Sequence, residues 1–212
     1  MPITPFLPGL MLALAAWILP FVVRFVPGKP ADRLFSRRPS LSAWAPWIRS
    51  VGLPYLGLML GWISSRDYGL TGQTPAEWIL GSAAAVVLGI AFGTVSARLS
   101  VALGWGVIGD EARWTLYRAA AWPVLGFLPL AVAAALAAAC AEFFWERRLR
   151  GGKVLDEVGR LFLFHAGGSA VLFLLAHNFF LAMLFYLSAM IVSTPEIRSR
   201  AFDMIHGIPK KQ

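Results

Sequence analysis

The stretch that decides the fold is residues 141–178, AEFFWERRLRGGKVLDEVGRLFLFHAGGSAVLFLLAHN. Glu142 follows an uncharged run of nineteen residues, 122–140, and His177 lies within a long apolar run. Ionisable groups at membrane depth are costly, and they normally face a protein interior or a wet cavity. Glu142 and His177, on two linked helices, are therefore the first candidates for a functional site.

The composition is that of a polytopic membrane protein. Hydrophobic residues make up 58% of the 212 residues, and charged residues make up 14%, against roughly 25% in soluble domains. Several apolar runs reach the ~18–20 residues that span a bilayer. Because no long polar linker divides the chain, residues 1–212 are expected to form one integral membrane domain that ends in a polar tail at 194–212.

The apolar runs predict an all-α bundle of five transmembrane spans, or six if the polar connection at 142–160 is not a simple loop. Small residues in span three should allow close helix packing. Span five is too long for one straight crossing, and Gly167-Gly168 is its predicted break. Residues 104–118 are predicted to be a loop with an interfacial helix in its second half. The five predicted spans are 6–25, 48–63, 78–95, about 119–142 and 161–192.

The distribution of basic residues predicts the orientation of the chain. The net charge is +8, but the Lys and Arg flank apolar segments, which is typical of contact with membrane lipids and argues against nucleic acid as a partner. Five spans with the N-terminus outside place 13 of the 19 basic residues on the cytoplasmic side, together with the C-terminus, in a bacterial-type plasma membrane. The single Cys140 excludes an internal disulfide and a cysteine-based zinc site.

Two short motifs carry a family resemblance. Residues 142–147 are EFFWER and residues 173–177 are FLLAH. Their order and spacing, with similar flanks over about 50–192, resemble the CPBP family of CAAX-protease and bacteriocin-processing intramembrane endopeptidases, whose motifs are EExxxR, FxxxH and HxxxN. Two departures weaken the match. Phe143 replaces the second glutamate, and the third motif is represented only by His206 in the polar tail, with Lys210 in place of asparagine.

The resemblance implies an intramembrane peptidase acting on membrane-associated peptides or proteins. Glu142 would activate water, His177 and His206 would polarise the peptide carbonyl, and Arg147 would orient the acid. The chemistry is consistent, since an apolar pocket makes a carboxylate a stronger base and a nearby imidazole can donate to an oxyanion. The catalytic candidates are thus Glu142, His177, Arg147 and His206.

A second hypothesis is a non-catalytic descendant of the same fold, a pseudoenzyme that serves as a structural or assembly subunit of a membrane complex. Phe143 in place of glutamate favours this hypothesis, and so does the lack of a membrane helix to carry the third motif. The two hypotheses differ in geometry: a hydrolytic site needs Glu142 and His177 to converge within about 5–6 Å in one cavity. Glu146, one turn after Glu142, is the alternative second carboxylate.

No cofactor is predicted from the sequence. The metal-ligand candidates are scattered and lack HExxH or paired-cysteine spacing, so metal dependence stays open. A tetrapyrrole on His177 is conceivable because one axial histidine suffices, although nothing else in the sequence supports it. His165, beside the predicted glycine break, is expected to be an interfacial histidine. The candidate ligands are Glu142, His165, His177 and His206.

Overall fold

The computed structural model describes residues 6–25, 41–98, 106–149 and 156–193, which form seven helices with no strand among them. The predicted all-α class is therefore confirmed. One helix, α2, contains a π-helical turn. The helices are α1 (Leu7–Phe25), α2 (Leu41–Trp47, the π turn Ile48–Gly52, and Leu53–Met59), α3 (Pro75–Arg98), α4 (Gly106–Leu125), α5 (Leu128–Leu149), α6 (Glu157–Ala176) and α7 (Phe179–Ser193).

Three of the described helices, α3, α5 and α6, are long and apolar enough to cross a membrane. The apolar stretches of α1 and α7 are shorter, at Leu7–Val22 and Phe179–Ser193. These lengths fit an integral membrane protein. The count of five or six spans and the orientation of the termini remain predictions.

The fourth span, which the sequence predicts to be kinked near Pro123 and Pro129, is divided between these two prolines, where one helix ends and the next begins. Gly126 has a φ of +65° and its N–H donates to the Trp122 carbonyl, which closes the last turn of α4 in the left-handed conformation that glycine favours. The chain then starts α5 at Leu128. Proline at 129 fits the first turn of that new helix, where no N–H donor is needed.

The break of the fifth span does not lie at Gly167-Gly168, where the sequence predicts it. Gly168 continues α6 and packs against the Phe185 ring, so its lack of a side chain serves helix contact. The break comes at His177, whose φ is 44°. Asn178 then caps α7, because its Oδ1 accepts from the N–H of Phe180 at 2.8 Å, which satisfies a donor that a helix start leaves open.

α4 is part of the core, not an interfacial helix. Trp114, Leu116 and Ala119 are almost fully buried, and α4 packs against α1, α2, α5 and α7. Its apolar residues contact the surrounding helices, while its charged residues find partners on those helices. This central position places α4 in both ion-pair clusters described below.

α3 and α7 meet along a stripe of small residues, as the sequence predicts. A Cβ on Gly89 would lie 2.5 Å from the Phe185 carbonyl oxygen, and one on Gly93 would lie 2.5 Å from that of Ala189. The two backbones are therefore in direct contact. At the start of α3, Thr74 and Glu77 form a reciprocal capping box, which fixes where the helix begins.

Candidate functional site: two buried ion-pair clusters

Glu142 is 2% exposed and is bound on both carboxylate oxygens. Its Oε1 lies 2.6 Å from Arg49 Nη1. Its Oε2 accepts from the Tyr117 hydroxyl at 3.0 Å and lies 3.2 Å from Arg113 Nε. Two guanidinium groups and a phenol therefore bind the carboxylate and link α2, α4 and α5.

The cluster extends to two further acids around Glu142. Arg49 also donates to Glu146 Oε1 at 3.1 Å, so Glu146 shares the face of Glu142 as predicted. Arg113 pairs with Asp110 at 2.9 Å, one turn earlier on α4. We call these residues the Glu142 cluster; its members are Arg49, Asp110, Arg113, Tyr117, Glu142 and Glu146.

The π turn of α2 has a local cause in the sequence. Pro54 has no N–H to donate to the Ser50 carbonyl, and its ring crowds that carbonyl. The helix widens over Ile48–Gly52, and the Leu53 N–H donates to the Ile48 carbonyl in the i→i−5 pattern. Arg49 lies in this turn. Such single π turns often occur at functional positions.

Arg147 is bound at the junction of α5 and α6. Its Nη2 pairs with Asp156, and its guanidinium lies over the Phe143 ring at 5.9 Å. Asp156 is the N-cap of α6 and accepts from the Gly159 N–H at 2.9 Å. Arg147 therefore ties the end of α5 to the start of α6 and has a structural position.

His177 lies at the other end of α6, directly after its last residue. Its ring contacts Trp122 edge-on at 4.4 Å, and its carbonyl accepts from Gln73 Nε2 at 2.7 Å. Burial lowers the pKa of the imidazole, so the ring is neutral near pH 7. Gly69 lies against this junction, where its carbonyl accepts from the Phe179 N–H.

Glu142 and His177 do not converge. The Phe143 ring, beside Glu142, stacks on Phe162 at 3.9 Å, near the start of α6. His177 follows Phe162 by 15 residues, which corresponds to about 22 Å along a helix axis. Glu142 and His177 therefore lie near opposite ends of α6. His206 lies outside the described residues.

A second buried cluster was missed by the sequence analysis. Glu111 is fully buried, and its Oε1 accepts from Arg118 Nη1 at 2.7 Å and from the Thr115 hydroxyl at 3.2 Å. Its Oε2 accepts from the Ser169 hydroxyl at 2.5 Å and from the Tyr186 hydroxyl at 3.2 Å. These residues, the Glu111 cluster, join α4, α6 and α7. The sequence signal was the spacing of Glu111, Thr115 and Arg118, which share one helix face.

His165 borders the Glu111 cluster and is 5% exposed, so the prediction of an interfacial histidine is wrong. Its ring lies 4.5 Å from that of Tyr186 and 4.7 Å from that of Trp114. Among the described residues, neither His165 Nε2 nor Trp114 Nε1 has a hydrogen-bond partner. His165 lies one turn before Ser169 on α6, on the same helix face.

The candidate metal ligands are likewise kept apart. Within the described ranges, no group of three or more His, Cys, Asp or Glu side chains is placed to hold a metal ion. Glu142 is bound by arginines, His165 is enclosed by aromatic rings, and His177 lies at the far end of α6. The three do not form a ligand set.

A groove of about 830 Å³ runs beside the Glu142 cluster. Its walls are formed mainly by apolar residues of α2, α4 and α7 and of the loop after α2. Its polar end carries Arg49, Asp110 and Arg113. Tyr68 lines the same groove, and burial raises the pKa of its phenol, with the nearby charge of Glu111 raising it further. The groove therefore adjoins the Glu142 cluster.

Comparison with known proteins gives no assignment: no protein-family model, no curated protein and no solved structure matches the chain. The CPBP resemblance therefore stays a prediction from the two short motifs.

Proposed function

We propose that this chain is a non-catalytic integral membrane protein, a structural or assembly subunit of a membrane complex. The observation that supports the proposal is the state of Glu142. Its carboxylate is held by Arg49, Arg113 and Tyr117. His177 lies at the far end of α6, about 22 Å along that helix from Phe162, which stacks on the Phe143 ring next to Glu142. Peptide hydrolysis needs a base and an oxyanion donor around one reacting atom.

The two buried clusters suit a scaffold. The Glu142 cluster joins α2, α4 and α5, and the Glu111 cluster joins α4, α6 and α7. A buried ion pair adds little net stability. A shift of the helices that separates the two charges is costly, however, because a buried charge without its partner is strongly disfavoured. The pairs therefore favour one arrangement of the helices around α4, which is what a fixed docking surface requires.

The test compares membranes from cells that carry the wild type, a deletion of the chain, and Glu142→Gln. We expect the deletion to remove or shrink a membrane complex seen by native electrophoresis. Peptide termini, measured by terminal proteomics, should be the same in all three. A set of termini present with the wild type but absent with a folded Glu142→Gln protein would contradict the proposal.

A second candidate function, hydrolysis at the Glu111 cluster, is favoured by one specific contact. Ser169 Oγ lies 2.5 Å from Glu111 Oε2 and 2.6 Å from Arg118 Nη2. A carboxylate in this position can accept the hydroxyl proton, and a guanidinium can stabilise developing negative charge.

Ser169→Ala separates the two candidates. The substitution removes the hydroxyl but keeps the size of the side chain close to that of serine. Under the scaffold proposal, termini in the Ser169→Ala membranes match those of the wild type. Loss of defined termini in Ser169→Ala, but not in Ser188→Ala on α7, would instead support hydrolysis. Ser188 donates to the Leu184 carbonyl of its own helix and is the matched control.

A further inference from the structure

We propose that the end of the bundle where α5 ends and α6 begins lies in the cytoplasmic leaflet and binds anionic phospholipid headgroups through Arg98, Arg148 and Arg160. We call this end the arginine end. The placement does not depend on whether the chain is a scaffold or a peptidase. It moves the connection between α5 and α6, which the five-span prediction places outside, to the cytoplasmic side.

Successive helices run in opposite directions, so the described bundle has two end faces. At the arginine end, Arg147 of α5 pairs with Asp156, the N-cap of α6. At the opposite end, Trp122 of α4 meets His177, whose carbonyl accepts from Gln73 before the start of α3. The first part of α2 and the ends of α1 and α3 lie toward the arginine end, through the contacts Arg49–Glu146, Phe21–Trp145 and Phe92–Phe164.

Three exposed arginines at the arginine end have no ion-pair partner among the described residues. Arg98 is the last residue of α3, Arg148 lies in the last turn of α5, and Arg160 lies in the first turn of α6. Glu157 is the exposed acid at this end of the described structure. The exposed side chains therefore carry an excess of positive charge, which suits phosphate groups because a guanidinium donates to them in pairs.

The opposite end has no such excess among the described residues. Arg66 is exposed there, but Asp67 follows it, and Glu77 is exposed in the first turn of α3. Short connections rich in Lys and Arg stay in the cytoplasm, and the cytoplasmic leaflet carries the anionic lipids. In the sequence, six Lys or Arg against one Asp occur in the segments that connect helices at the arginine end, 26–40, 99–105 and 150–155.

The depth of the arginines favours lipid headgroups over a soluble acidic protein. α3 has no charged residue between Glu77 and Arg98, and this stretch spans about 31 Å at the rise of a helix, close to the ~30 Å of a hydrocarbon core. Arg148 follows Trp145, which is 56% exposed, by one turn on the same helix face. Exposed tryptophans mark the level of the membrane interface, so Arg148 lies where phosphate groups are.

Cysteine accessibility tests the orientation. In a Cys140→Ala background, Glu157→Cys places a thiol at the arginine end and Thr71→Cys places one at the opposite end, both at exposed positions. In intact bacterial spheroplasts, a membrane-impermeant maleimide should label the Thr71→Cys variant. It should label the Glu157→Cys variant only after the membrane is opened. Any other pattern of labelling in intact spheroplasts would overturn the orientation.

Native mass spectrometry with added lipid tests the headgroup contact. We expect the wild type to bind dioleoyl phosphatidylglycerol more tightly than dioleoyl phosphatidylcholine. Combined Arg98→Gln, Arg148→Gln and Arg160→Gln substitutions should reduce this preference by about 5-fold for each arginine that contacts a headgroup. Arg66→Gln should keep the preference, because the acids at its end already outnumber it.

Two results would overturn the lipid contact. The same preference for phosphatidylglycerol in the wild type and in the folded triple variant would place the anionic lipid elsewhere. An acidic protein that co-purifies with the wild type and not with the triple variant, with no lipid preference in either, would identify a protein as the partner of this end. Circular dichroism and melting curves identify folded variants, and the labelling experiment keeps all three arginines in place.

Discussion

Arg49 Nη1 lies 2.6 Å from Glu142 Oε1, so the π turn of α2 is fastened to α5 by a buried ion pair. Each member of the pair also has a second partner. Arg49 donates to Glu146, and Glu142 is also bound by Arg113 and Tyr117. Because Glu142 is the acid that both arginines share, its loss should be felt on α2 and on α4.

Glu142→Ala should lower the free energy of unfolding by about 1–3 kcal/mol, because it removes the carboxylate that Arg49 and Arg113 share and leaves each of them only one acid, Glu146 and Asp110 respectively. Urea or thermal unfolding in detergent measures the change. Glu157→Ala is the matched control. Glu157 is exposed in the first turn of α6, where an acid is worth about 0.3–1 kcal/mol. Equal effects of the two substitutions would contradict the structural role of Glu142.

Glu111→Met and Arg118→Met should each be destabilising by about 3–5 kcal/mol, since each leaves the opposite charge buried and unpaired. The double substitution should cost much less than the sum, because it removes both charges together. A double-mutant cycle on unfolding free energies gives the coupling between the two side chains. Additive effects would show that Glu111 and Arg118 do not form the 2.7 Å ion pair in the folded protein.

The backbone at His177 predicts a ranking of substitutions. At a φ of 44°, glycine and asparagine are well tolerated, whereas a β-branched residue is strained. His177→Asn should stay within about 1 kcal/mol of the wild type, and His177→Val should be about 1–3 kcal/mol worse than His177→Asn. Thermal unfolding of the purified variants measures the order. Valine equal to asparagine would mean that residue 177 does not adopt the left-handed conformation.

Two glycines predict opposite signs for the same substitution. Gly89→Ala places a Cβ 2.5 Å from the Phe185 carbonyl oxygen, and such overpacking typically costs about 1–3 kcal/mol. Gly167→Ala meets no atom within 4 Å in the described structure and should stabilise α6 by up to about 1 kcal/mol. Melting temperatures of the two variants check the signs. A stabilising Gly89→Ala would contradict the close contact of α3 with α7.

The sequence predicted those parts of the structure that depend on local patterns. The apolar runs predicted the all-α class, and the small residues of α3 predicted its close packing. The uncharged run before Glu142 identified a buried acid. Each of these features rests on residues a few positions apart, where the intrinsic preferences of the chain decide the outcome.

The remainder depends on contacts between distant segments. The charged residues of α4 are unexpected in a buried helix. The cost of burying Glu111 is reduced by hydrogen bonds from Ser169 and Tyr186, which lie more than fifty residues further along the chain. The motif spacing placed Glu142 and His177 on two neighbouring helices, but it could not reveal which ends face each other. That arrangement follows from the tight turns at Gly126 and His177. The apolar runs continue across both positions, so hydropathy alone does not reveal these turns.

The close contact between α3 and α7 has a consequence for biosynthesis. The glycine face of α3 has its backbone partner on a helix that begins about 80 residues later in the chain. At translation rates of about 5–20 residues per second, α3 waits roughly 4–16 seconds before α7 can reach it. During that interval the glycine face of α3 is open to other small-residue helices, so the insertion machinery or a neighbouring membrane protein has to shield it until α7 arrives.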